Sequence, residues 1–233
     1  MPRPKPAKPE SAPKWRRSPK DRPEQIIAAA LEVFGERGLA NARLQDIAER
    51  AGVSKGTIYL YFPNKEELFR EMVRRTAVAA IERAEKVVTL GTPTEQVIAF
   101  MKGYWRLVRS PVFSAIYRLV IGELHQFPDL ARFYAQEVVA RAQRILAGIV
   151  RRGIETGEFR EIEPMVAARM LIALTVMNGT WRDEHTGVPL LADKSDEEVF
   201  RELGEFYLYS ISAKEGAFAQ ADGAPADTVS FIR

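Results

Sequence analysis

The sequence predicts an all-α fold: three short helices, a long connecting helix and a helical bundle. Apolar residues recur at helical spacing over most of the chain between residues 22 and 213. No segment shows the alternation of apolar and polar residues that marks a half-buried strand. Glycine and proline fall between the periodic segments, at positions that stop helices.

Regular structure is expected to begin at Arg22–Pro23, because proline fits the first helical position. Ile26, Ile27, Ala30, Leu31 and Phe34 then share one helical face, and Gly38 stops the helix. A second helix is predicted over Leu44 to Ala51, ended by Gly52. Ser54 is a helix N-cap residue, so a third helix is expected from Lys55 to Tyr61, stopped by Pro63. Asn64 caps a fourth helix from Lys65 to about Leu90, which Gly91–Pro93 ends. An uninterrupted helix of that span would be roughly 40 Å long. Further helices are predicted over 94–109, 111–125, 128–157, 163–182 and 196–213.

Composition narrows the function. Apolar residues make up 46% of the 233, enough for a packed core. The longest apolar runs, Ile26–Leu31 and Leu171–Met177, fall far short of the roughly 18 residues of a membrane span, so no membrane association is expected. Cysteine is absent, which excludes disulfides and thiolate metal sites and fits a reducing cytoplasm. With only His125 and His185 present, a histidine-rich metal site is excluded as well. There is no HExxH, no glycine-rich phosphate loop and no nucleophile beside a base, so neither a catalytic site nor a cofactor is expected.

Charge is uneven. Residues 1–75 hold 16 Lys/Arg against 10 Asp/Glu, and the remainder is slightly acidic. A basic head suits a polyanion. The excess sits in residues 1–22, and residues 1–20 contain six prolines without apolar periodicity, which predicts a disordered basic tail. Residues 216–233 are expected to fray.

The most informative stretch runs from Leu44 to Lys65, and it reads as helix, tight turn, helix. Ile47 and Ala48 anchor the first of these helices. Gly52 permits a sharp reversal because it tolerates positive φ. Val53 plugs the turn, and Ser54 caps the helix that follows, leaving its first turn to project outward. Such a helix can enter a major groove.

Ile47-Ala48-x-x-Ala51-Gly52-Val53-Ser54-Lys55-Gly56-Thr57-Ile58-Tyr59-x-Tyr61-Phe62-x-Asn64-Lys65 resembles the signature of the TetR family of bacterial transcription repressors. Ile26-x-x-Ala29-Ala30-x-x-x-Phe34-x-x-x-Gly38 is similar to that family's first helix. The resemblance implies a helix-turn-helix DNA-binding domain over 21–75 and a helical ligand-binding and dimerisation domain over 76–215. It implies that Ser54, Lys55, Gly56 and Thr57 face bases and nearby phosphates, with Gly56 allowing close approach and Thr57 reaching a base edge or a thymine methyl. Tyr59, Tyr61 and Lys65 are then expected on phosphates. Many family members carry threonine or serine as a cap before the second helix, where Ala42-Arg43 stand here. Arg43 is expected to contact phosphate instead, or Asn41 to cap.

In that family the body holds a small-molecule effector. Tyr104, Trp105, Tyr117 and Trp181 bring polar handles to an aromatic-rich region, and Phe113, Met177 and His125 complete the expected pocket. The last two predicted helices are apolar on a wide face, which suits a homodimer. The expected partners are therefore a pseudo-palindromic double-stranded DNA operator, a small apolar effector and a second copy of the chain. The expected activity is repression relieved by that effector.

Overall fold

The computed structural model describes residues 22–87, 90–180 and 193–213. The expected tails at 1–20 and 216–233, and the pocket candidate Trp181, lie outside the described residues.

The head begins with α1 (Arg22–Asn41), which carries a break at Gly38, where φ is 75°. α2 (Leu44–Arg50) and α3 (Lys55–Tyr61) follow. The connector consists of α4 (Lys65–Val73), a π-helical segment (Arg74–Val78) and α5 (Ala79–Val87). The body comprises α6 (Pro93–Val108), α7 (Pro111–Glu123), α8 (Pro128–Tyr134), α9 (Arg141–Glu155), α10 (Pro164–Thr180) and α11 (Asp196–Ile211). A 3₁₀ turn (Leu124–Gln126) extends α7, and a second π-helical segment (Ala135–Ala140) joins α8 to α9. Among the described residues the only β pairing is an isolated bridge between Phe159 and Ser212. None of their helices is long and apolar enough to cross a membrane.

Local chemistry sets most of the boundaries. Ser54 accepts from the Thr57 N–H and Asn64 from the Glu67 N–H, so both expected caps form. Thr92 with Glu95, and Ser195 with Glu198, build reciprocal capping boxes at the starts of α6 and α11. Pro93, Pro111 and Pro128 occupy first-turn positions, where a missing N–H is harmless.

The connector departs from the expected single helix. A π turn admits one extra residue and shifts the apolar face without erasing its periodicity. Thr76 lies inside it and donates from Oγ1 to the Met72 carbonyl at 2.7 Å. The other π segment interrupts the helix expected over 128–157, and the two segments touch.

Packing joins the parts. α1 lies against α2 and α4 on one side and against α7 of the body on another. α9 packs on α6 and α10, and α11 closes over α6 and α10. Tyr207 is buried in that closure and donates to the Ala167 carbonyl at 3.1 Å. Arg141, at the start of α9, makes a bidentate ion pair with Glu85 of α5 at 2.8 and 2.7 Å.

Gly153 in α9 is buried, and a Cβ there would run into the Phe159 ring. Gly153→Ala should therefore overpack this contact and lower stability by about 1–3 kcal/mol. Urea unfolding monitored by circular dichroism measures it. A midpoint equal to that of the parent would show that the Phe159 segment yields freely.

Candidate DNA-binding face and interior aromatic cluster

The turn between α2 and α3 forms as its residues require. Gly52 takes φ 66°, and the Val53 N–H returns to the Ala48 carbonyl at 2.9 Å. Ile58 and Phe62 point into the head's core and are buried. That orientation turns the rest of α3 outward.

Lys55 and Gly56 are exposed, as is Tyr59 at 47%. Tyr61 is 38% exposed, with its ring 6.5 Å from that of Phe62. Ser54 caps α3, and its Oγ also meets the Thr57 Oγ1 at 2.8 Å, so the Thr57 hydroxyl is engaged within the helix start. Leu60 is 85% exposed between the two tyrosines. The sequence reading passed over Leu60, although helical spacing places it on the same face as Gly56, one turn earlier.

Arg43 is exposed at the N-cap of α2 and gives that helix no side-chain cap. Asn41 does not cap it either; its amide nitrogen donates to the Arg37 carbonyl. α2 is held from the side instead. Arg37 pairs with Asp46 at 2.7 Å, and Arg50 with Glu36 and Glu32 at 2.8 and 2.9 Å. The Arg50 guanidinium holds the Glu36 carboxyl below its usual range.

Lys65 is engaged within the head as well. Its Nζ donates to the carbonyls of Ala40 and Ala42 at 2.6 and 3.2 Å, and it lies 5.9 Å from the centroid of the Phe127 ring. The ammonium thus ties the end of α1 to the start of α4. Two of its three donors are already used within the protein, so it acts as a clasp and keeps one donor for a further acceptor.

The residues expected around an effector divide into groups. Tyr104 of α6, Tyr117 of α7 and Tyr134 of α8 lie near enough to one another to interact electrostatically. Phe100 stacks on Tyr104, and Phe113 on Tyr117, each at 5.8 Å between ring centroids. Burial, and to a smaller degree the neighbouring tyrosines, push the Tyr104 hydroxyl far above its ordinary range. Burial does the same for Tyr134 and raises Tyr117. All three are neutral at physiological pH and can donate hydrogen bonds. Tyr104 nevertheless keeps some accessible surface.

Trp105 lies elsewhere. It is buried on the next face of α6, tilted against Phe200 of α11 at 6.0 Å. His125 is exposed on the 3₁₀ turn, and Met177 is 52% exposed on the outer face of α10. Neither joins the tyrosine cluster. Helical spacing alone does not say which stripe of a helix apolar nearly all round faces inward, and α10 is such a helix. Phe100 and Tyr134 belong to the cluster although the sequence reading did not choose them. Their signal was an aromatic or apolar partner four residues away: Tyr104 for Phe100 and Leu130 for Tyr134.

Residues 26–72 match the family model for bacterial regulatory proteins of the tetR family. Residues 95–208 match that for the C-terminal domain of AefR-like transcriptional repressors. The chain belongs to the TetR family. This TetR-family chain is 33% identical to the fatty acid metabolism regulator protein of Bacillus subtilis (strain 168), an alignment covering 65% of this chain and 78% of that protein. It is 25% identical to the transcriptional repressor KstR2 of Mycolicibacterium smegmatis over 80% of its own length and 91% of the other's. Among solved structures, the regulator FadR from Bacillus subtilis in complex with stearoyl-CoA superimposes with a TM-score of 0.61 at 27% identity, covering 77% of this chain and 96% of that one. The chain is a DNA-binding transcriptional regulator of the repressor type, with a helix-turn-helix head and a helical C-terminal domain.

The clasp at Lys65 leads to a specific expectation. Lys65→Met keeps the stem but leaves two carbonyls at a partly buried joint without their donor, which costs about 1–3 kcal/mol. A two-state melt should show that loss. The slope of log affinity for DNA against log salt should stay at its parent value. A slope reduced by about one unit would instead assign Lys65 to a phosphate.

Proposed function

We propose that this TetR-family regulator is a cytoplasmic homodimeric repressor that leaves a pseudo-palindromic operator when a largely apolar effector with a hydrogen-bond-accepting group enters its body. The interior aromatic cluster, in which Phe100 stacks on Tyr104 and Phe113 on Tyr117 with Tyr134 in electrostatic range, carries this reading. Three neutral donors among apolar rings suit a long apolar molecule with one carbonyl or thioester. The fatty acid metabolism regulator and the stearoyl-CoA complex among its relatives support a fatty-acyl thioester as that molecule.

The proposed DNA contacts are Arg43, Ser54, Lys55, Gly56, Thr57, Tyr59 and Tyr61, joined by Leu60. Thr57 and Leu60 offer apolar surface to thymine methyls, and Arg43, Lys55 and the tyrosines offer donors to phosphates. The proposed dimer face is the outer side of α10 and α11. Met170, Met177, Phe206 and Tyr209 are each more than half exposed there, and a second copy of the chain would cover them.

A selection from random duplexes should return a palindrome with half-site centres about 34–36 Å apart. On that operator, stearoyl-CoA should lower affinity by a factor of roughly 5 to 150, and saturating operator should weaken stearoyl-CoA binding by the same factor. A selection without an enriched site would overturn the DNA reading. Equal stearoyl-CoA affinity with and without operator would overturn the coupling.

A further inference from the structure

Ala40 stands in the turn that leads from α1 into the helix-turn-helix, and both of its backbone polar groups are held from outside that turn. Its N–H donates to Glu123 Oε2 at 2.7 Å, across 83 residues of sequence. Its carbonyl accepts from Lys65 Nζ at 2.6 Å. Glu123 is the last residue of α7, and Lys65 the first of α4. The backbone is non-helical at Gly38, so the turn at residues 39–41 starts afresh and its first N–H groups lack helical partners. The Glu123 carboxylate satisfies one of them. Gly38 also makes room for it, since a Cβ at that position would collide with the same carboxylate.

We infer that Glu123 is a positioning residue for DNA recognition: it fixes the angle of the helix-turn-helix on the body by capping the turn at Ala40. This rests on the DNA-binding reading of the head. The head then has two supports. One is the connector, clasped by Lys65 and stacked through Arg70 and Arg74 on the Phe133 ring at 5.7 and 5.4 Å. The other is α7, reaching Ala40 through Glu123. α7 also carries Phe113 and Tyr117 into the aromatic cluster, and Tyr117 lies six residues before Glu123, roughly 9 Å along the helix. A shift of α7 at the cluster reaches the recognition helix directly, without passing through the connector.

The chain has no cysteine, so spin labels on Glu49→Cys of α2 and Arg151→Cys of α9 report the head-to-body distance in the DNA-free, full-length protein, diluted with unlabelled copies. Glu123→Ala should broaden that distance distribution. Glu123→Gln, whose side-chain oxygen still accepts, should restore it. Ala40→Pro removes the donor from the other side and should broaden it equally, and the double variant should be no broader than either single one. On the selected operator, one inserted base pair between half-sites should cost the parent at least tenfold in affinity and Glu123→Ala less than threefold. An unchanged distribution in both Glu123→Ala and Ala40→Pro would overturn the proposal, and so would additive broadening in the double variant. Failure to recover any operator would overturn the DNA reading while the label distances still decided whether Glu123 holds the head.

Discussion

Helix α1 buries residues toward two different neighbours. Ile26, Ala30, Val33 and Phe34 are almost wholly shielded, and the helix touches α2 of the head, α4 of the connector and α7 of the body. A unit of about fifty residues has little core of its own to hold a recognition helix at a fixed angle. Sharing α1 with the body solves that problem. The buried residues of head and body form one continuous apolar cluster, from Ile26 through Phe69 and Met72 to Leu146 and Tyr207. Every other feature of the reading face follows from this sharing, because Ile58 and Phe62 seat α3 on a base that is itself anchored.

Much of this was legible in the sequence where the determinants are local. Ser54 and Asn64 cap the helices they precede, Gly52 takes positive φ, and the proline breaks fall where the helices begin. These depend on a few neighbouring residues and elementary sterics. Features that depend on distant partners did not show. Lys65 sits in a motif position that reads as basic and exposed, yet its ammonium finds carbonyls brought to it by the fold of α1. Met177 reads as a pocket residue because α10 is apolar nearly all round, and only packing on α9 and α6 decides which side is inward. Trp105 and Tyr104 are neighbours in sequence and face different partners for the same reason.

Charge is used for fastening throughout. Arg50 spans Glu32 and Glu36 to hold α2 on α1, and Arg141 grips Glu85 to hold α5 on α9. These pairs are partly exposed, and each adds little to global stability. Their value is directional: a bidentate arginine permits one approach and resists rotation about it. The tyrosine cluster is the opposite kind of region, with neutral, buried hydroxyls among stacked apolar rings.

The π segment at Arg74–Val78 bears on how the connector transmits force. An uninterrupted α-helix is stiff against bending over this length, whereas a π turn carries a wider ring and a local defect in its hydrogen-bond ladder. The connector is thus two stiff members with a compliant joint between them, and that joint rests on the second π segment at Ala135–Ala140. A push on α5 from the body is partly absorbed as bending at the joint before it reaches α4. α7 reaches the head at Ala40 as thirteen residues of helix without such a break.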